Sequence, residues 1–386
     1  MATSVGFLPL RKGSKGIPGK NKRKMAGRPL FTWVLNEAAF SKLDAIYVAT
    51  DDNDIQDFIK THYKHLPKIK LFERSEASAT DTASTEMALE EFYEAVGKDF
   101  EVLCLLQATS PTTTQKDINC CLAALEKGKD SALTVVNTHR FVWNTEGAPL
   151  NYDPSHRPRR QDFEGLLVEN GAVYATTASA FKKTKTRISG SIELVTMPEI
   201  SYTEIDSETD WLFVEQLLVK RLQQQKGTAK ITHLVLDVDG VFTPGTVWYG
   251  KEGELAKSFD MRDGMGLELL REKGIEVLIM TSENSELVAQ RMKKLKIKEV
   301  FLGVKDKYHQ LQYVCDTQGI SPDQIAYVGD DVNDMAAMAY VSWSFAPQNA
   351  MIEIKNIADV TLSHPSGGGA IREVCQFIEK YNLRYA

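Results

Sequence analysis

At 386 residues the chain is too long for one ordinary core, so two domains are expected. It is 43% hydrophobic and 25% charged with a net charge of −6, which excludes extended disorder and argues against a general nucleic-acid binder. Its five cysteines and seven histidines fall in no zinc or redox spacing, so reduced thiols in a soluble, cytoplasmic protein are expected.

In chain order, residues 5–10 read as a first strand, too short and too closely followed by basic residues for a signal peptide. Further strands are expected at 45–50, 102–106, 132–136 and 172–175, with helices at 29–40, 85–96 and 115–126 between them. A helix over about 209–225 ends in the polar run 223–230, the best candidate for a linker. A second set of strands follows at 233–237, 275–280, 325–328 and 341–345. Apolar runs alternating with amphipathic stretches imply an α/β protein: two domains, 1–225 and 226–386, each a mainly parallel sheet flanked by helices. No apolar run approaches the ~20 residues of a membrane span, so no membrane partner is expected.

Glycines and cations crowd the segment Pro9-Leu-Arg-Lys-Gly-Ser-Lys-Gly-Ile-Pro-Gly-Lys-Asn21 just after the first strand. Glycines let backbone N–H groups cradle phosphate oxygens, and Arg11, Lys15 and Lys20 can neutralise a triphosphate and a departing pyrophosphate. The spacing is not that of a kinase-type P-loop. The run R-x-G-S-K…K-N, which includes Ser14 and Asn21, resembles the signature of the N-acylneuraminate cytidylyltransferases, the family that makes CMP-sialic acid. That resemblance continues to about residue 220 and implies a Rossmann-like nucleotidyltransferase domain. It implies a cytosine-binding loop between Arg74 and Thr85, and a sugar contact from Gln107 in Leu106-Gln-Ala-Thr-Ser-Pro111. It further implies an acceptor pocket lined by Arg160 and Tyr174, and a Mg²⁺ site at Asp206 assisted by Glu204 within Glu204-Ile-Asp-Ser-Glu-Thr-Asp210. The partners would be CTP and a 3-deoxy-2-ulosonic acid, whose 2-hydroxyl attacks the α-phosphorus. Ala108 and Leu10 depart from the family pattern without removing a reactive group. Arg187 and Ile188 stand where some relatives place an aromatic pair against an N-acyl group, which leaves room for the deaminated sugar KDN.

In the second half, Leu234-Val-Leu-Asp-Val-Asp-Gly-Val-Phe-Thr243 puts Asp237 and Asp239 just past an apolar strand, the ligand-binding end in an open α/β sheet. Asp237 can attack a phosphoryl group, and Asp239 can protonate the leaving oxygen and then activate water. Thr281 ends the next apolar strand, Lys307 follows in Gly303-Val-Lys-Asp-Lys307, and Tyr327-Val-Gly-Asp-Asp-Val-Asn-Asp334 supplies Asp330 for Mg²⁺, with Asp331 and Asp334 nearby. A D-x-D after a strand also occurs in ordinary turns, but these motifs in this order resemble the haloacid dehalogenase superfamily from about residue 231 onward. The short stretch between Gly240 and Thr281 resembles the capless type, as do Phe259-Asp-Met-Arg-Asp-Gly-Met-Gly266 and the late Ser363-His-Pro-Ser-Gly-Gly-Gly-Ala-Ile-Arg372. That subgroup implies Asp237, Asp239 and Asp330 at the metal, and a homotetramer whose neighbouring subunit helps close the site. Glu283 and Lys294 match its nine-carbon-sugar members and would contact the sugar. The joint expectation is a bifunctional enzyme: a nonulosonate 9-phosphate is hydrolysed and the freed sugar is activated as its CMP derivative. Two alternatives stay open, the eight-carbon KDO pathway and a cytidylyltransferase whose second domain is a tetramerising scaffold.

Overall fold

A computed structural model of the chain describes residues 4–13, 16–80, 83–96 and 100–385; Ser14 and Lys15 lie outside these residues. The chain divides into two compact units, Met1–Lys24 with Pro29–Val214, and Met25–Arg28 with Glu215–Ala386.

The first unit is built on a seven-stranded sheet. Its strands are β1 (Ser4–Leu10), β2 (Ala45–Thr50), β3 (Ile69–Glu73), β4 (Val102–Leu106), β5 (Ser131–Thr138), β6 (Leu166–Thr177) and β7 (Ile192–Met197). They lie in the order β3-β2-β1-β4-β6-β5-β7. All neighbours are parallel except β6, which runs antiparallel to both β4 and β5. Leu8 and Leu10 of β1 join one apolar cluster and Val5 and Phe7 the other. Both faces are therefore covered, which is why β1 and β4 read as unbroken apolar runs. The helices include α1 (Leu30–Phe40), α2 (Asn53–His62), α3 (Thr85–Val96), α4 (Gln115–Glu126) and α5 (Glu208–Gln224). Thr114 and Asp117 start α4 with a reciprocal capping box.

The second unit carries a six-stranded, wholly parallel sheet. Its strands are β8 (His233–Leu236), β9 (Glu276–Met280), β10 (Glu299–Phe301), β11 (Ile325–Val328), β12 (Trp343–Ala346) and β13 (Val360–Thr361), in the order β10-β9-β8-β11-β12-β13. Helices α6 (Met261–Glu272), α7 (Glu286–Lys294), α8 (Lys307–Gln318) and α9 (Ala370–Asn382) belong to this unit. Between β8 and β9 the chain forms an antiparallel hairpin, Trp248–Gly250 with Gly253–Ala256, and then α6. That is too little chain for a large cap domain.

The α/β class and mainly parallel sheets agree with the sequence. In the two main sheets, the strands it did not predict, β3, β7, β10 and β13, are the four edges. Edge strands have one unpaired side and tolerate charge, as Lys70, Glu73 and Glu193 show, so the apolar signal is diluted there. The polar run 223–230 is tied into the second unit: Gln223 Nε2 donates to Ile357 O at 3.0 Å, and Lys226 Nζ pairs with Asp359 at 2.6 Å. Among the described residues no helix is long and apolar enough to cross a membrane.

Phe92 on α3 is fully buried, its ring 4.9 Å from those of Phe7 and Tyr47 and 5.3 Å from Phe72. Phe92→Ala is expected to destabilise the first unit by about 3–5 kcal/mol. Denaturant unfolding should show an earlier midpoint for that unit's transition with the second unit's unmoved.

Candidate active sites

The second unit concentrates buried charge at the carboxyl ends of its central strands. β8 lies between β9 and β11, and Asp237, Thr281 and Asp330 follow these three strands in turn. Asp237 is pinned by its own N–H, which donates to Val328 O at 3.1 Å. Lys307 opens α8, and its Nζ lies 2.8 Å from Asp237 Oδ1 and 2.7 Å from Asp334 Oδ1. Tyr327 donates its hydroxyl to the same Asp334 oxygen at 2.7 Å, and the Asp330 N–H donates to Asp334 Oδ2 at 3.2 Å. Asp237, Asp330 and Asp334 each offer one oxygen within 4.8 Å of the others. Gly240, at φ +87°, permits this packing, because a Cβ there would sit 1.8 Å from Asp330 Oδ2.

The electrostatics follow from burial. Desolvation pushes the Asp237 carboxyl up to about 7 against the pull of Lys307. Burial, with Asp334 and Asp237 adding like charge, pushes Asp330 up to about 8. Burial alone would lower Lys307, but Asp237 and Asp334 outweigh it and raise the ammonium. Asp330 Oδ1 is buried without a hydrogen-bond partner. An all-oxygen donor set with an orphaned oxygen fits a hard divalent cation such as Mg²⁺.

Asp239 does not join the three converging carboxylates. Its side chain is held by Lys257 Nζ at 2.7 and 2.8 Å and accepts from Thr243 Oγ1 at 3.3 Å. Asp334 takes the third place, and its spacing of four from Asp330 in an acidic run was the signal available for it. Lys257 and Tyr327 had none. Thr281 is buried, and its Oγ1 accepts the N–H of Glu283 at 3.3 Å. Glu283 is exposed and pairs with Lys305 at 3.4 Å. Lys294 ends α7, roughly 12 Å along the helix axis from its first residue. Gly367 N–H donates to Val241 O at 3.2 Å, placing the late glycine run beside the Asp237–Asp239 loop.

In the first unit the glycine-rich segment follows β1. Asn21 Nδ2 donates to Arg11 O at 3.1 Å and closes the loop. Lys20 Nζ donates to Ile205 O at 2.7 Å and lies 3.4 Å from Asp206 Oδ1. Gly16 backs onto the same segment, since a Cβ there would sit 2.4 Å from Asp206 O. Burial raises the Glu204 carboxyl, Asp206 reinforces this, and Lys20 opposes it. Asp210 instead caps the start of α5, accepting from the N–H of Ser207 at 2.8 Å. Among the described residues these acids form no three-carboxylate cluster.

Arg74 is half-buried and donates to Ser78 O. Burial lowers its guanidinium, Asp51 and Glu91 oppose the shift, and Arg11 reinforces it, so the two arginines lie within electrostatic reach. Thr85 begins α3, and the Gln107 N–H donates to Ala172 O at 3.2 Å at the end of β4. Tyr174 is buried on β6, donating its hydroxyl to Glu169 at 3.1 Å; burial and then Glu169 push the phenol up to about 12. Arg187 stacks over the Tyr174 ring at 5.2 Å and pairs with Glu86 at 2.6 Å. Arg160 is exposed and lines a separate cleft of about 520 Å³ with Asn137, His139 and Glu199. Lys20 thus lies with Glu204 and Asp206, and Tyr174 with Glu169 and Arg187, and Glu204 is within electrostatic reach of both Glu169 and Tyr174.

Comparison with known proteins places both halves. Residues 5–194 match the cytidylyltransferase family, and residues 299–374 match the haloacid dehalogenase-like hydrolases. N-acylneuraminate cytidylyltransferase B of Danio rerio is 30% identical over 97% of this chain and 90% of its own length. The N-acylneuraminate cytidylyltransferase of Oncorhynchus mykiss is 31% identical over 97% of this chain and 88% of its own. A 3-deoxy-D-manno-octulosonate 8-phosphate phosphatase of Haemophilus influenzae is 37% identical over 40% of this chain and 86% of its own. The chain belongs to the N-acylneuraminate cytidylyltransferase family and joins a cytidylyltransferase to a haloacid dehalogenase-type phosphatase in one polypeptide.

Proposed function

We propose that the phosphatase region hydrolyses a nonulosonate 9-phosphate and that the cytidylyltransferase region transfers CMP from CTP to the 2-hydroxyl of the freed sugar. The observation that carries an active second site, against a bare scaffold, is the Lys307 bridge between two buried carboxylates. Such a charge cluster is costly to bury, and apolar side chains would fill the same space more stably, which favours a chemical role for it. Asp237 Oδ attacks phosphorus, the bond to the sugar oxygen breaks, and Asp239 delivers a proton to that oxygen; Asp239 then takes a proton from water, which attacks the Asp237-bound phosphorus and frees inorganic phosphate. Lys307 offsets charge on the transferring group, and Thr281 can hold one of its oxygens. Asp237, Asp330 and Asp334 would hold Mg²⁺, which when bound offsets phosphoryl charge as a Lewis acid. Glu283, at the exposed mouth, would face the sugar.

In the first region, Arg11, Ser14, Lys15 and Lys20 would hold the triphosphate and Asn21 would keep the loop closed. Arg74 and Thr85 would address the base, and Gln107, Arg160 and Tyr174 the sugar. Glu204 and Asp206 would hold Mg²⁺ together with triphosphate oxygens. Arg187 over Tyr174, paired with Glu86, supports KDN as acceptor, because it sets charge where an N-acyl group would want an apolar wall. The identity to an octulosonate phosphatase favours a second reading, KDO 8-phosphate as the phosphatase substrate.

The exposed apolar residues Trp248, Tyr249, Leu255 and Met261 on and beside the hairpin support a homotetramer built through this region. The unpaired cysteines support a reducing, cytoplasmic setting.

Phosphate release with Mg²⁺ from KDN 9-phosphate, N-acetylneuraminate 9-phosphate and KDO 8-phosphate, assayed separately, tests the substrate. Turnover is expected with a nine-carbon substrate; release from the eight-carbon one alone would overturn the proposal. Asp237→Asn is expected to lower phosphate release at least 1,000-fold, while CMP-sugar synthesis and assembly size persist. Unchanged release would remove Asp237 from the nucleophile's role.

The raised carboxyls also set a pH dependence. Without metal, the folded state keeps protons on Asp237 and Asp330 that the unfolded chain loses near pH 4, so stability falls as pH rises towards about 7 to 8. Mg²⁺ displaces those protons, so its stabilising shift of Tm should be larger at pH 8 than at pH 6. An equal shift at both pH values would contradict this placement of the ion.

A further inference from the structure

Four residues far from the phosphatase motifs in sequence belong to the phosphatase unit. Met25–Arg28 cluster with Glu215–Ala386, although the residues on either side of them belong to the first unit. Arg28 is 1% exposed, and its guanidinium forks onto a buried carboxylate: Nε donates to Asp306 Oδ1 at 2.7 Å and Nη2 to Asp306 Oδ2 at 2.8 Å. Its plane also covers the Tyr308 ring at 4.5 Å. Asp306 is the N-cap of α8, where its Oδ1 accepts the His309 N–H at 3.1 Å. The next residue is Lys307. One residue before Arg28, Gly27 at φ +80° lies so close to the Val332–Asp334 turn that a Cβ would sit 1.8 Å from Val332 O. That turn delivers Asp334. The segment therefore abuts both chain stretches that meet in the Lys307–Asp334 bridge.

We infer that Arg28 is a positioning residue for the phosphatase reaction, fixing the Asp306 cap so that the Lys307 ammonium is held between Asp237 and Asp334. The reason is geometric. A cap carboxylate gripped on both oxygens cannot rotate, and Lys307 starts the helix whose first turn that cap sets. Without the fork, the buried Asp306 carboxylate loses its bidentate partner one residue from Lys307, and the cap that starts the helix is free to turn. A lysine in place of Arg28 would keep the charge and lose the bidentate grip. Arg28 touches neither Asp237 nor Asp330 in the described contacts, so its effect runs through Asp306. This inference rests on the phosphatase reading of Asp237 and Lys307.

The test uses the full chain with para-nitrophenyl phosphate and Mg²⁺, and CMP-sugar synthesis as the internal control. Arg28→Met is expected to lower phosphatase kcat at least tenfold, with KM within about twofold and CMP-sugar synthesis unchanged. Arg28→Lys, which keeps the charge and guards against a folding failure, should lose about three- to tenfold in kcat with thermal midpoints near wild type. Adding Asp306→Asn to Arg28→Met should recover part of the loss, because the carboxylate that lost its partner is removed. A purely structural role would instead lower the thermal midpoint and the amount of active enzyme, leaving kcat per active site intact. Wild-type kcat in both Arg28 variants would overturn the inference while leaving the phosphatase reading standing. A wild-type chain that releases no phosphate would sink both.

Discussion

One buried ammonium among acids organises the second unit. Lys307 sits between Asp237 and Asp334, with Asp330 close behind, and all four side chains are largely shielded from water. A single positive charge does not balance three carboxylates, and burial with like charge pushes the Asp237 and Asp330 carboxyls up. The neighbouring structure accommodates the cluster. Tyr327 donates to Asp334 from inside a core strand, Gly240 removes a side chain that would strike Asp330, and Asn333 Nδ2 donates to Ser282 Oγ at 3.0 Å, tying the Asp330–Asp334 loop to the Thr281 loop.

The first unit follows the opposite rule. Arg11 and Lys20 are half-buried on their loop, and Lys20 pairs with Asp206 while Glu204 and Asp210 lie within its electrostatic reach. A phosphate-rich ligand brings its own negative charge, so the protein supplies positive charge and backbone donors and leaves room for the ligand to complete the balance. A monophosphate ester brings less, and a phosphatase must also supply a nucleophile and a proton donor of its own.

The division of the chain follows packing rather than sequence order. The helix Glu208–Gln224 carries residues of both units, and the polar run after it is held by Asp359 and Asp323 of the second. Met25–Arg28 belong to that unit as well, through a buried ion pair whose members are separated by 278 residues. No local pattern announces such a pairing, because an arginine in a glycine-rich loop reads as solvated until its partner is found.

The sequence by itself determined the class, the central strands and which polar residues stand at their carboxyl ends. Buried parallel strands must be apolar along their whole length, so polar residues that directly follow one stand out, and Asp237, Thr281 and Asp330 were legible by position. The glycine and cation run before Asn21 was legible for the same reason. What only the tertiary structure decided were the partners. It turned Asp239 towards Lys257, brought Asp334 into the acidic triad, set Lys294 at the far end of its helix, and gave Asp306 its Arg28. It also supplied the four edge strands, whose mixed composition carries no periodic signal. Periodicity reports which face of an element is buried. It is silent on which distant charge fills the space beside it, because that choice is made by packing once both segments are in place.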